Sequence, residues 1–128
     1  MPLSYPEFKP LTSAIIHGAI EVHRHLGPGL LEHIYEEALY WELVDKGMAV
    51  QRQSLNPIVY KSHVIPGAYR LDMVVNDTVV IEVKAVERVL PVHRAQLLTY
   101  LKITQRHVGL LLNFNTEQMR QGIFRVSL

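Results

Sequence analysis

The sequence predicts an α/β fold, and three observations carry that prediction. Two stretches with apolar residues at helical spacing come first; short strand-like segments take over from Ala49; and a later helical stretch leads into the apolar run around 107–113. At 128 residues the chain has the size of one ordinary domain, and its 48% hydrophobic and 20% charged content is that of a soluble globular chain rather than a disordered one. No repeat, low-complexity tract or linker interrupts it, so residues 1–128 are read as a single domain.

The first helix is expected over Leu11 to Leu26, with Thr12 or Ser13 capping its start. Ile15, Ile16, Ala19, Ile20, His23 and Leu26 form its stripe, and Gly27-Pro28-Gly29 stops it. The second helix is expected from Leu30 to Lys46, with Gly47 as its C-terminal cap. Ile34, Ala38 and Trp41 supply its apolar face, flanked by Tyr35 and Leu39. Leu55 to Tyr60 and His63 to Ile65 read as a hairpin turning at Lys61-Ser62. Tyr69 to Val75 and Val79 to Lys84 form a second strand pair, joined through residues 76–78. Pro91 opens a helix over Val92 to Ile103, His107 to Asn113 is a buried strand, and Ile123 to Val126 adds a last strand or docked tail.

Composition narrows the chemistry. A formal net charge of +1 argues neither for nor against a polyanionic partner. The absence of cysteine excludes disulfides, thiolate zinc sites and iron–sulfur clusters, leaving carboxylates, histidines and backbone oxygens to hold any metal. Met1 to Pro10 has no basic stretch followed by an apolar block, so no signal peptide is expected there. No apolar run approaches the ~20 residues that span a bilayer. A cytoplasmic protein without a membrane partner is the expectation.

The second strand pair holds the most specific chemical pattern. Residues two apart share a strand face, so Val79, Ile81 and Val83 oppose Val80, Glu82 and Lys84, while Leu71, Met73 and Val75 oppose Arg70, Asp72 and Val74. Matching the apolar faces sets Val75 against Val79, Met73 against Ile81 and Leu71 against Val83; it also sets Asp72 opposite Glu82 and Arg70 opposite Lys84. Two carboxylates across a ladder, about 5 Å apart at Cβ, repel unless something compensates them. A hard divalent cation is one compensation and Lys84 is another; the alternative is an ordinary solvated sheet face neutralised by the lysine. Metal, carboxylates and lysine together suit phosphodiester hydrolysis.

Motifs spread along the chain extend this pattern. Gly29 to Tyr35 reads G-x-x-E-x-x-Y within EVHRHLGPGLLEHIYEEAL; Tyr69-Arg70-Leu71-Asp72 precedes Ile81-Glu82-Val83-Lys84-Ala85; Gln96-Leu97-Leu98-Thr99-Tyr100 and LLLNFN follow. This order resembles the GxxExxY family of small prokaryotic proteins, assigned to the PD-(D/E)XK nuclease superfamily, and the likeness runs from about Leu11 to Val126. The resemblance implies a PD-(D/E)XK nuclease-like core, a mixed central β-sheet flanked by helices. It implies Asp72 and Glu82 as metal ligands, the Val83 carbonyl as a third oxygen, Lys84 as the superfamily's lysine, and Glu32 as an acidic ligand from the early helix. Gln96 and Tyr100 match the Q-x-x-x-Y pair that lines the site in the recombination-exonuclease branch, and a spacing of four puts both on one helix face. Glu32 also has a plainer reading, an acid favoured by the helix dipole. Gly29 serves the turn, and Tyr35 packs.

Other signals are weaker. His17, His23, His25 and His33 contain no i,i+4 pair and read as helix-surface histidines; Gly27-Pro28-Gly29 is a turn, too short for a phosphate loop. No nucleophile elbow is present. His93 is expected to cap or face solvent, and Arg70, Arg88, Arg94 and Lys102 fit either a phosphate-tracking rim or a solvated surface. The expected function is an Mg²⁺- or Mn²⁺-dependent nuclease acting on nucleic acid, DNA before RNA. A non-catalytic binding or assembly module with the same fold is the alternative, and a small phosphate ester is a third substrate class. A homodimer is one way for so small a chain to gain binding surface.

Overall fold

The computed structural model describes residues 5–128, so the expectation for Met1 to Ser4 lies outside the described residues. Helix α1 spans Tyr5–Leu26 and α2 Glu32–Asp45; strands β1, β2 and β3 span Val50–Tyr60, His63–Val75 and Val79–Lys84; α3 spans Pro91–Thr104, β4 Val108–Asn113 and β5 Ile123–Ser127. A single 3₁₀ turn, Met119–Gly122, precedes β5. Adjacent strands pair in the order β1-β2-β3-β4-β5, all antiparallel except β3 with β4. A parallel pair needs a crossover, and α3 supplies it. The expected mixed sheet flanked by helices is what forms.

Both sheet faces are covered, which is why β3 and β4 are apolar almost throughout. On one side α1 and α2 bury Ile15, Ala19, Val22, Tyr35, Leu39 and Leu43 against Met73, Ile81, Val83, Leu110 and Leu112. On the other, Leu97 and Leu101 of α3 pack on Tyr69, Leu71, Val74, Val80 and Leu111. The α3 approach is close: a Cβ on Gly109 of β4 would meet Leu97 Cδ1 at 2.9 Å, so only glycine fits there without displacement.

Four expectations need correction. Helix α1 begins before Pro10, and Thr12 is not its cap; Thr12 is buried inside the helix, and its hydroxyl donates back to the Phe8 and Lys9 carbonyls. A proline in the second turn removes few helical bonds, so it does not force the break. Helix α2 begins at Glu32 and buries Tyr35, Glu36, Leu39 and Leu43, leaving Ile34 and Trp41 exposed. Both of its stripes are apolar at helical spacing, and the one buried carries Tyr35, whose hydroxyl bonds the preceding turn. His23 is buried rather than on the surface, bonded through Nε2 to the Thr116 carbonyl at 2.8 Å.

The fourth correction concerns register. The rungs Val75↔Val79, Val74↔Val80 and Met73↔Ile81 form as expected, closed by residues 76–78. The ladder ends there. Asp72 with Glu82, Leu71 with Val83 and Arg70 with Lys84 are not rungs. Leu71 packs with the α3 cluster although Met73 packs with the α1/α2 cluster, so the pleat turns over at Asp72. On the neighbouring strand, Gln53 sits level with Asp72, between Arg52↔Met73 and Ser54↔Leu71, and has φ 52°. Beyond this point β1 and β2 continue as a long hairpin. Pro57 on one strand faces Pro66 to Ala68 on the other in a bulge, and Lys61-Ser62 makes the tip as expected.

Candidate active site

The end of the β2–β3 ladder is where the acidic residues gather. Asp72 Oδ2 accepts the Val83 backbone N–H at 2.8 Å, and the Asp72 backbone in turn favours the charged form of the Glu82 carboxylate. A carboxylate therefore takes over from a carbonyl at the point where the strands part. Glu82 is buried at 6% exposure, and its Oε1 has no hydrogen-bond partner. Val83 turns its side chain into the α1/α2 core and lends its N–H to Asp72. Lys84, half-buried, favours the charged form of both acids.

This environment works against ionisation. Burial pushes the Glu82 carboxyl up to about 8, with the Asp72 charge adding to the effect and Lys84 opposing it. Burial also raises Asp72, to about 6; the Val83 N–H opposes that shift, while Glu36 and Glu32 add to it. The two acids titrate as a pair. Tyr100 is raised as well, by burial first and then by the Glu82 and Asp72 charges, so the far part of α3 faces the same site. Its ring stacks on Tyr69, centroids 4.9 Å apart.

The residues expected from sequence are distributed unevenly. Asp72, Glu82 and Lys84 come together, and Tyr100 joins them from α3. Glu32, the first residue of α2, is exposed, yet its charge is felt by both Asp72 and Glu82. Gln96 is exposed and lines a surface concavity of about 480 Å³ with Val92, His93 and Thr99. His93 caps: its Nδ1 accepts the Leu90 N–H at 3.0 Å. Two residues were missed. Glu36, one turn after Glu32, is buried and acts on Asp72 more strongly than Glu32 does. Gln53, at its unusual backbone position, donates from Nε2 to Glu36 Oε1. The i,i+4 spacing of Glu32 and Glu36 was the available signal.

Tyr35 explains how α2 is aimed. Its buried hydroxyl donates to the Gly27 carbonyl at 2.5 Å and accepts the Leu30 N–H at 3.1 Å, while its ring stacks on Phe114 at 4.8 Å. The turn before α2 is thereby fixed to the core, with Gly29 at φ 98°. Glu32 and Glu36 follow from that fixed start.

A family model described as the PD-(D/E)XK nuclease superfamily matches residues 9–126. The chain belongs to the PD-(D/E)XK nuclease superfamily. Comparison with curated proteins and with solved structures returned no match. Membership supports a nuclease-type function and implies a nucleic-acid substrate; nucleases of this superfamily generally use divalent metal ions. The residues present fit such an ion: one buried and one half-buried carboxylate, both held back from ionising, one oxygen unpartnered, and further carboxylates near them. Among the described residues no three His, Asp or Glu side chains converge into a complete cage. A sparse protein donor set is what Mg²⁺ accepts, because it keeps several waters. No helix among the described residues is long and apolar enough to cross a membrane.

Proposed function

We propose that residues 1–128 form one nuclease-type domain of the GxxExxY kind, cytoplasmic, hydrolysing phosphodiester bonds in nucleic acid, DNA before RNA, with Mg²⁺ or Mn²⁺. The observation that carries this reading is the pair Asp72 and Glu82 at the parted end of β2 and β3, coupled to each other, with Asp72 bonded to the Val83 N–H and Lys84 beside them. In it, Asp72, Glu82 and the Val83 carbonyl would hold the metal, with Glu32 as a further acidic residue on its side of the site. When bound, that ion polarises a phosphoryl oxygen and acidifies water. Lys84 balances negative charge at the phosphate and orients the attacking water. Glu36, held by Gln53, adds negative charge near Asp72 that a cation would offset. Tyr100 and Gln96 orient substrate from α3.

The test is incubation of the pure protein with labelled DNA and RNA in Mn²⁺, beside Asp72→Asn and Lys84→Ala. The reading expects cleavage by the parent protein and a loss of about 10²–10³-fold in each variant. Cleavage unchanged in both variants removes the proposed centre. The incomplete donor set favours one second reading, a nucleic-acid-binding module with the nuclease fold and no turnover; metal-independent binding with no cleavage in any divalent ion selects it.

A further inference from the structure

The long β1–β2 hairpin and helix α3 enclose a groove of about 530 Å³, with Asn56, Val59 and Tyr69 on one wall and Ile103, Thr104 and Arg106 on the other. Both walls come from stretches without acids. From Lys46 to Leu71 the sequence carries Lys46, Arg52, Lys61 and Arg70 and no Asp or Glu; from Arg88 to Thr116 it carries Arg88, Arg94, Lys102 and Arg106, again with none. The chain's near-neutral total conceals this segregation, since α2 alone holds Glu32, Glu36, Glu37, Glu42 and Asp45. The Asp77 carboxylate pairs with Arg106 at 2.6 Å at the groove's margin, and Arg52 turns to the other sheet face, over Tyr40. Lys61 at the hairpin tip and Lys102 beside Ile103 are both exposed.

The hairpin is also unusually apolar for a solvent-facing arm. Val59 and Val64 are each 64% exposed, and Tyr60 is 59% exposed with Lys61 over its ring. Exposed apolar groups clustered on one arm mark a contact surface. From the groove wall Tyr69 stacks on Tyr100, whose hydroxyl is raised partly by the Glu82 and Asp72 charges. One end of the groove therefore adjoins the carboxylate pair.

We propose that this groove is the track along which a nucleic-acid strand approaches the carboxylates, its phosphates met by Lys61 and Lys102 at the groove's ends and its sugars and bases by Ile58, Val59 and Tyr69. The proposal rests on the nuclease reading above and adds where the polymer lies. Charge decides the occupant. A polyanion gains from walls whose own segments carry no acid and whose marginal Asp77 is already neutralised by Arg106, whereas a second copy would bring a like-charged arm against this one. Cation-to-phosphate contact sets affinity and its salt dependence, and the apolar tip holds the strand out of water.

The experiment measures binding of a fluorescent DNA of about 20 nucleotides, single-stranded and duplex, by anisotropy in EDTA across a salt series. It is run on the parent protein, on Lys61→Glu/Lys102→Glu and on Arg120→Glu, an exposed cation in the turn before β5. Hydrolysis of bis(p-nitrophenyl) phosphate in Mn²⁺ reports the carboxylate centre separately. The expected result is affinity at least about tenfold weaker in the double variant, a salt slope shallower by about 2, unchanged small-diester hydrolysis, and parent-like behaviour of Arg120→Glu. Double-variant affinity equal to the parent's overturns the groove. So does a parent that hydrolyses the small diester without binding DNA, a result that leaves the nuclease centre intact. Binding without hydrolysis keeps the groove and removes the centre. Light scattering adds the remaining outcome: a parent dimer made monomeric by Val59→Asp, with DNA binding unchanged, assigns the arm to a second copy and overturns the proposal.

Discussion

The two ends of the β2–β3 pair are made from the same two strands and satisfy their main chains in different ways. At the turn end, Val75↔Val79, Val74↔Val80 and Met73↔Ile81 form regular rungs between buried aliphatic side chains. At the other end the rungs stop, the Asp72 carboxylate takes the Val83 N–H, and the buried Glu82 carboxylate lies beside it. A carbonyl in that role contributes to the fold alone. A carboxylate in the same role is anchored by the fold, yet it keeps a second oxygen for other work, and Glu82 Oε1 is such an atom. The difference suggests that one end supplies rigidity and the other chemistry, on a single pair of strands.

Substitutions at the two ends should therefore fail in different assays. The largest effect is expected from Ile81→Ala at the rigid end, about 2–5 kcal/mol of stability lost in denaturant titration, with cleavage per folded molecule retained. Asp72→Asn should do the reverse, losing about 10²–10³-fold in cleavage while the metal-free protein unfolds no more easily than the parent. If Ile81→Ala and Asp72→Asn damaged stability and cleavage in equal proportion, the division between the two ends would be lost.

A subtler distinction lies in pH. The folded-state pKa values of Asp72 and Glu82 are raised, so the folded protein holds more protons than the unfolded chain between the ordinary carboxylate range near 4 and about 8. The stability this pair contributes is present below that range and is lost as pH rises through it. Thermal unfolding of the metal-free protein should show that decline, and Glu82→Gln should flatten it. Rungs of Val and Ile have no titratable group and contribute no such slope. A pH profile identical in Glu82→Gln and parent would place the pKa shift elsewhere. The smallest effect belongs to the supporting residues. Gln53→Ala frees Glu36 and should weaken Mn²⁺ affinity about 10-fold with little change in melting temperature.

How far the sequence could be read follows from the same two ends. Pairing Met73 and Val75 with Ile81 and Val79 anticipates the three rungs and the 76–78 connection, although Val74 and Val80 on the other face are apolar and buried as well. The turn-over at Asp72 has no such signature. Leu71 is apolar in either orientation, so its transfer to the α3 face leaves the letter pattern unchanged. Helix α2 is ambiguous for a related reason: Ile34, Ala38 and Trp41 repeat as well as Tyr35, Leu39 and Leu43 do, and only the Tyr35 hydroxyl bonds to the preceding turn distinguish them. At the candidate site, short-range patterns pointed to Asp72, Glu82 and Lys84. Glu36 was obscured by an adjacent acid at Glu37, and Gln53 by its distance of 17 residues in sequence from its partner.

The central claim is that Asp72 and Glu82 together make a cation site at the parted end of the strands. Calorimetric titration of Mn²⁺ into the parent protein, Asp72→Asn and Glu82→Gln at pH 7.5 tests it without any substrate. The account predicts saturable binding by the parent, accompanied by proton release, and binding lost in both variants. Equal Mn²⁺ affinity in all three proteins would contradict it.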